Sequence, residues 1–350
     1  MTTHPPYPAA HWRRFALAFA AAAVGLGCAA AGFIAAMDPY GLRAGPGRAP
    51  GPIMDLNQRF MYPQIVRGGA YDAAVFGTST ARLLDPRDLD AAFGARFANL
   101  AMNAATPFEQ RALARLFLGR DAVTVVIFAL DATWCAADAD RRRLTFRPFP
   151  PWLYEPGTPL GTIRQVNWQS LATAGRVALH RLGRAPARIR GDGYAVFTPP
   201  EASYDAARAA AHIHGGNASA EEAADGASAE EDAGMPALAW LDGLLASVPA
   251  NAVKLVAFMP VHAAAQGRPG TPQGAREAAC KAEVAAIGRR RAATVVDFRI
   301  PSPVTTQDAN YWDALHYRLP VAGRVVAGLR AARETGADDP KGFYRVLAHP

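Results

Sequence analysis

The chain has 350 residues, of which 51% are hydrophobic and 19% are charged. This length suits one large domain or two smaller ones, and the apolar fraction excludes a wholly disordered chain. Three cysteines are too few for a small disulfide-stapled scaffold. The net charge of +7 is scattered over many arginines without a basic stripe or an aromatic platform, so we expect no nucleic-acid partner.

The N-terminal region contains one long apolar stretch. Residues 15–37 carry no charge and would extend about 34 Å as a helix, compared with about 30 Å for the hydrocarbon core of a bilayer. Arg13 and Arg14 precede the stretch, which favours a single-pass signal anchor with residues 1–14 as a cytoplasmic tail. A cleaved secretory signal and a buried helix are the alternatives. With an anchor, we expect a bacterial inner-membrane protein whose remaining chain faces the periplasm.

The cysteines indicate no metal site. Cys135 and Cys280 would lie in an oxidising compartment, where they either pair or remain buried thiols. No metal-ligand spacing surrounds them, and we expect neither a metal nor a cofactor. The oligomeric state is left open.

Short apolar runs alternate with helical patterns after residue 67. This alternation predicts an α/β fold with about five parallel strands and helices on both faces of the sheet. Ligands of such sheets bind at the carboxyl ends of the strands. The runs cover residues 73–76, 98–102, 123–130, 253–259 and 294–296, and the helical patterns cover residues 108–118, 237–245, 276–290 and 321–332.

The pattern predicts one domain at residues 68–335, which follows a linker at 38–67 and precedes a tail at 336–350. Residues 140–235 break the alternation and are interpreted as an insertion. The end of the insertion, residues 209–234, is rich in Ala, Gly and Ser and is typical of a mobile loop.

Two short motifs have the composition of a nucleophilic site. Gly77-Thr78-Ser79 directly follows the first apolar run, where a serine is exposed at the sheet edge and nearby N–H groups favour negative charge. Asp313 lies three residues before His316, close enough to hold one ring nitrogen and leave the other free. Each motif alone is common, since serine is an ordinary helix cap. An acyl-transfer enzyme requires Ser79 and His316 to meet in the fold.

Together the two motifs resemble blocks I and V of the SGNH (GDSL-like) hydrolase superfamily. The resemblance covers about residues 70–335. It implies a flavodoxin-like, three-layer α/β/α fold that carries out acyl transfer, usually ester hydrolysis. It further implies that Ser79 is the nucleophile, His316 the general base and Asp313 the residue that orients the base.

The middle blocks of this superfamily match less closely. Residues 99–106 resemble the block that supplies a glycine N–H to the oxyanion hole, with Ala104 at the glycine position. Asp131 stands where the superfamily has an oxyanion-binding asparagine, and an ionised carboxylate donates no hydrogen bond. Either Asp131 is protonated, or Asn103 or Asn99 replaces it, or the protein is slow or inactive. The N–H of Ser79 is a further expected oxyanion donor.

The overall layout is similar to membrane-anchored SGNH-like envelope proteins, including polysaccharide O-acetyltransferases. This resemblance implies an acyl ester, on a carbohydrate in particular, as the substrate. One alternative is an inactive, membrane-tethered protein that binds carbohydrate or assists assembly. Another is a phosphate-binding, flavodoxin-like cofactor domain built on residues 77–80. Candidate substrate-binding residues, chosen for their positions at strand ends or beside the motifs, are Arg82, His262, Asp297 and Asp308.

Overall fold

The computed structural model describes residues 9–45, 49–120, 122–155, 163–215 and 234–350. Elements are numbered in chain order within these ranges. The helices are α1 Ala9–Met37, α2 Gln58–Arg67, α3 Pro86–Phe93, α4 Pro107–Leu118, α5 Trp168–Arg181, α6 Ala206–His214, α7 Pro236–Ser247, α8 Pro272–Arg291 and α9 Leu319–Thr335. The strands are β1 Ala73–Phe76, β2 Phe97–Asn99, β3 Val125–Leu130, β4 Val253–Phe258, β5 Thr294–Asp297 and β6 Arg345–Ala348.

The six strands form one sheet in the order β2-β1-β3-β4-β5-β6. The first five strands pair in parallel, and β6 joins β5 in the antiparallel direction. The predicted α/β class with a mostly parallel sheet is confirmed. The sixth strand lies in the stretch assigned above to a tail. The sequence does not predict this strand, because its apolar run is only three residues long, 346–348, and follows exposed Arg345.

The sheet separates two apolar clusters. Phe76 and Phe128 stack in one cluster, with rings 5.4 Å apart, and pack there with side chains of α4 and α7. The neighbouring residues Val75 and Ile127 enter the other cluster with side chains of α3 and α9. Because successive side chains of a strand point to opposite faces, helices cover both faces of this sheet.

Residues 38–67 differ from the predicted linker, because most of them are packed into the domain. Tyr40 is fully buried, and α2 is buried along nearly its whole length. Arg59 of α2 forms a two-pronged ion pair with Glu109 of α4, and both side chains are fully buried. This helix is not predicted from the sequence, because Pro63 and several polar residues interrupt its apolar pattern.

The insertion contributes α5 and α6 to the described residues. The helix α6 includes residues 209–214, so this part of the predicted mobile loop is helical. The remainder of that loop, residues 216–233, lies outside the described residues.

A disulfide joins Cys135, in the short helix after β3, to Cys280 of α8. The sequence left this pairing open because 145 residues separate the two cysteines. The bond connects the carboxyl end of a central strand to a helix that covers the sheet.

The helix α1 is long and apolar enough to cross a membrane. Its candidate span, Ala10–Met37, has a mean hydropathy of 2.1 and is almost wholly exposed. Only its last turns contact the domain, where Ile34 is buried and Arg181 of α5 donates to the carbonyl of Met37. Such a helix is consistent with a membrane anchor or a secretory signal.

Candidate functional site

Ser79 begins a short helix, Ser79–Ala81, just after β1. The turn needs a glycine at position 77, because a Cβ there would lie 2.8 Å from the carbonyl oxygen of Ala129 on β3. Ser79 is half-buried, unlike the fully covered residues of β1 before it. Its N–H stands at the first helical residue, where helical geometry provides no acceptor.

Ser79, His316 and Asp313 form one hydrogen-bonded chain. Nε2 of His316 lies 2.9 Å from Oγ of Ser79, although 237 residues separate the two. Nδ1 of His316 lies 2.8 Å and 3.0 Å from the two carboxylate oxygens of Asp313. With the Nδ1 proton donated to Asp313, Nε2 is free to accept the proton of the serine hydroxyl. The arrangement can activate a serine for attack on a carbonyl carbon.

The carboxylate of Asp313 is held by its own backbone. Oδ1 accepts the N–H groups of Leu315 and His316, each at 2.8 Å. Burial raises the pKa of Asp313. The hydrogen bond from the His316 ring and the charge of His316 have the opposite effect and outweigh burial, so the pKa of Asp313 lies below its usual range. Asp313 is therefore ionised at neutral pH, as is required to stabilise a protonated His316.

Asn99 holds the turn that carries Ser79. Its side chain is buried and donates to the carbonyls of Ala81 and Leu84, each at 2.9 Å. These bonds occupy both amide hydrogens, so Asn99 is not the replacement oxyanion donor considered above.

The loop after β2 lies beside this turn, because the N–H of Met102 donates to the carbonyl of Gly77 at 2.9 Å. Ala104 has a φ of +48°, in the left-handed region that favours glycine. Its backbone thus has the conformation that suits a glycine at this position. Buried Arg59 supports the loop by donating to the carbonyls of Asn103 and Ala104, at 3.1 Å and 3.3 Å.

Arg82 is only 4% exposed and orients Asn103. Its Nη1 donates to Oδ1 of Asn103 at 2.9 Å, which leaves the NH2 group of Asn103 as a hydrogen-bond donor. Phe197 of the insertion lies 4.8 Å from the guanidinium of Arg82 and packs edge-on against the ring of His316 at 5.4 Å. The sequence predicts only that Phe197 packs within the insertion or against the main domain, because no local pattern relates the insertion to the site.

Asp131 caps the short helix Ala132–Cys135. Its Oδ1 accepts the backbone N–H of Thr133 at 3.0 Å and also the hydroxyl of Thr133. These local bonds give an aspartate at this position a structural role that does not depend on an oxyanion.

His262 and Asp308 meet at the end of β4. Asp308 Oδ1 lies 3.1 Å from Nε2 of His262, and Asp308 accepts from His214 of α6 at 3.0 Å. The N–H of His262 donates to the carbonyl of Ala314 at 2.8 Å, which joins this pair to the loop of the triad histidine. Burial is the main reason that the pKa of His262 is lowered.

Asp297 lies in a separate charge cluster. Its carboxylate lies 2.9 Å from Nζ of Lys281 and accepts the N–H of Arg299 at 2.9 Å. Glu277 also pairs with Lys281, at 2.9 Å. Burial raises the pKa of Asp297. These contacts connect the end of β5 to α8.

No protein-family model matches the chain, and no match is found among curated proteins. In the described part of the chain, no group of three or more His, Cys, Asp or Glu side chains is placed to hold a metal ion.

Proposed function

We propose that this protein is a membrane-anchored member of the SGNH superfamily. Its proposed reaction is serine-dependent acyl transfer on an ester of an envelope or extracellular carbohydrate. The observation that carries the proposal is the hydrogen-bonded chain from Asp313 through His316 to Ser79. A serine that only caps a helix does not need a histidine beside it, and a surface Asp–His pair does not need a serine. A nucleophilic serine requires both the histidine and the aspartate.

The strand order supports a flavodoxin-like, three-layer arrangement. Strands β2-β1-β3-β4-β5 follow the order 2-1-3-4-5 of flavodoxin-like sheets. In such sheets ligands bind outside the carboxyl ends of the strands, at the switch point between the first and third strands. Ser79 follows β1 at that switch point.

In the first half-reaction, Oγ of Ser79 attacks the ester carbonyl while Nε2 of His316 takes its proton. The carbonyl π electrons move to oxygen, and Asp313 stabilises the protonated imidazole. The proposed oxyanion donors are the N–H groups of Ser79 and Ala104 and the NH2 group of Asn103. As the intermediate collapses, the bond to the alcohol oxygen breaks and His316 protonates that oxygen.

The second half-reaction releases the acyl group from Ser79. Water or a sugar hydroxyl loses a proton to Nε2 of His316 and attacks the acyl-serine carbonyl. Collapse of this intermediate returns the proton to Oγ of Ser79. Attack by water gives ester hydrolysis, and attack by a sugar hydroxyl gives O-acyl transfer.

The disulfide between Cys135 and Cys280 supports export, because structural disulfides persist in oxidising compartments such as the bacterial periplasm. The charge-free apolar helix after Arg13 and Arg14 fits an inner-membrane anchor whose domain faces that compartment.

A catalytically inactive binding or assembly protein is the second candidate, and Asp131 favours it. Loss of one oxyanion donor slows an enzyme about 10²- to 10³-fold, which is a reduction but not an abolition. The donor group of Asn103 offers a replacement. The phosphate-binding alternative has less support, because the hydroxyl of Ser79 is engaged with His316.

Labelling with a fluorophosphonate probe tests for an activated serine in the full chain in detergent. We expect the native protein to be labelled and Ser79→Ala to remain unlabelled. His316→Gln should react about a thousandfold more slowly or not at all. Ser203→Ala is the matched control, since Ser203 is an exposed serine whose hydroxyl donates to the carbonyl of Pro200.

Two results would contradict the proposal. Folded native protein that resists labelling would favour the binding or assembly protein. Labelling that persists in Ser79→Ala would show that another residue is the nucleophile.

A further inference from the structure

The surface around α5, residues 163–189, lies beside the end of α1. Arg181, at the last residue of α5, donates to the carbonyls of Ala36 and Met37 at 3.5 Å and 3.2 Å. Near the other end of α5, Ser170 donates to the hydroxyl of buried Tyr40 at 3.2 Å. The last turn of α1 and the residues after it are therefore attached to α5.

The contact falls near the edge of the bilayer, if α1 spans it. The charge-free stretch of α1 is about 34 Å long and the hydrocarbon core about 30 Å thick. The membrane boundary then lies within about one helical turn of Met37. Arg181 is bonded to the same turn.

Five large apolar side chains of this surface are exposed. Trp168 is 80% exposed and Leu182 is 68% exposed. Several exposed apolar side chains within one short segment are typical of a surface that contacts a partner or a membrane, and tryptophan is enriched at the membrane interface. The five residues are Ile163, Val166, Trp168, Leu179 and Leu182.

The same surface is basic. Residues 163–189 include no Asp or Glu, and Arg176 pairs with Asp55, which lies elsewhere in the chain. Arg181 donates to neutral carbonyls, so its charge is not cancelled by that contact. Apolar side chains among arginines are typical of a segment that lies in the headgroup region of an anionic bilayer. The arginines of the surface are Arg164, Arg176, Arg181, Arg184 and Arg188.

We infer that the α5 surface, residues 163–189, lies on the headgroup region of the membrane that α1 spans and binds anionic lipids there. The inference rests on the anchor of the proposed function. Apolar side chains enter the boundary between headgroups and acyl chains, while the arginines bind lipid phosphates. The membrane thereby holds the domain at two places, the helix and this surface.

Lipid-borne quenchers of a fluorophore test the inference in the full chain. Cys28 is the free cysteine among the described residues and lies on the exposed surface of α1, so a label on it reports the position of α1. A second protein, Cys28→Ser with Leu182→Cys, carries the label on the α5 surface. A third, Cys28→Ser with Glu334→Cys, carries it at an exposed position near the end of α9, which packs on the other face of the sheet from α4 and α7. All are placed in nanodiscs with and without phosphatidylglycerol in phosphatidylcholine.

In anionic nanodiscs, we expect the label at position 182 to be quenched about threefold more than the label at position 334. The difference should shrink in phosphatidylcholine alone, and also when Arg164→Gln and Arg184→Gln are introduced. Equal quenching at positions 182 and 334, together with a quenched label at Cys28, would overturn the inference but leave the anchor supported. An unquenched Cys28 label would overturn the anchor and the inference together. If quenching at position 182 is the same with and without phosphatidylglycerol, the proposal that this surface binds anionic lipids is wrong.

Discussion

At the scale of single residues, the site depends on how side chains fix one another. Arg82 is buried and donates to Oδ1 of Asn103, so the orientation of the Asn103 amide follows from its neighbour. A donor that is already oriented costs little reorganisation when negative charge develops. Ala104 adds a backbone in the left-handed region, which places its N–H as a glycine would.

Asn103→Ala should lower kcat about 10²-fold and change KM little, because an oxyanion donor acts chiefly in the transition state. The measurement is hydrolysis of a chromogenic acetyl ester by the full chain. Asn103→Asp keeps an acceptor for Arg82 but lacks the NH2 donor, so we expect it to be as slow as Asn103→Ala. Native kcat in Asn103→Asp would show that the amide donates nothing to the oxyanion.

His262 predicts a pH dependence of folding stability. Its pKa is lowered in the folded state, mainly by burial. The nearby His214 also lowers this pKa, whereas the negative charge of Asp308 raises it. The ring of Tyr311 packs against the ring of His262. In the unfolded state His262 has a pKa of about 6.5, so below that pH it binds more protons in the unfolded state than in the folded state. The contribution of His262 to the free energy of unfolding is therefore complete above about pH 6.5. It is lost as the pH falls through the lower pKa of the folded state.

We therefore expect the free energy of unfolding of the native protein to fall as the pH is lowered from about 7.5 to about 5.5. The decline should be shallower in His262→Gln, which keeps an acceptor near the N–H of Ala264. Urea unfolding across this range measures both. Parallel declines in the two proteins would contradict the prediction.

At the scale of elements, α2 and α4 are joined by buried charge. Arg59 and Glu109 pair with both side chains fully buried, and Glu109 also accepts the N–H of Thr106 to complete the cap of α4. Because Arg59 also bonds the carbonyls of residues 103 and 104, this ion pair supports the proposed oxyanion loop. The sequence pattern predicts a helix at residues 108–118, but it does not show that α2 lies against it.

Glu109→Ala should destabilise the fold by about 3–5 kcal/mol, because it leaves the guanidinium of Arg59 buried without a partner. Urea unfolding of the full chain in detergent measures this loss. Glu334→Ala is the matched control, since Glu334 pairs with Arg330 on the surface and exposed pairs contribute little. Equal stability of the two variants would contradict the importance of the buried pair.

At the scale of the whole molecule, one covalent bond joins distant parts of the chain. The disulfide connects the end of β3 to α8 and closes a loop of 145 residues. Because a cross-link of this length restricts the unfolded chain strongly, its effect on stability is large in the loop-entropy model.

Cys135→Ala with Cys280→Ala should lower the free energy of unfolding by about 2–5 kcal/mol. Reductant should destabilise the native protein by a similar amount and leave the double variant unchanged. Cys28→Ala removes the exposed, unpaired thiol of α1 and should not alter stability. A double variant as stable as Cys28→Ala would contradict the prediction.

The central strands and the apolar helix could be predicted from local sequence, because both depend on runs of apolar residues. The strand at residues 73–76 and the core of the run at 123–130 appear as β1 and β3. The sequence also singled out Ser79, Asp313 and His316. Position after an apolar run and spacing over one turn are properties of short segments.

Which of these residues contact one another depends on the packing of the folded chain. The sequence could not place His316 Nε2 at 2.9 Å from Ser79 Oγ, because that distance depends on the packing of strands that lie far apart in the chain. For the same reason, the sequence could not predict the contact of Arg59 with the proposed oxyanion loop or that of Phe197 with His316. Contacts between distant segments follow from the closing of the whole sheet and its covering helices, and no local pattern records them.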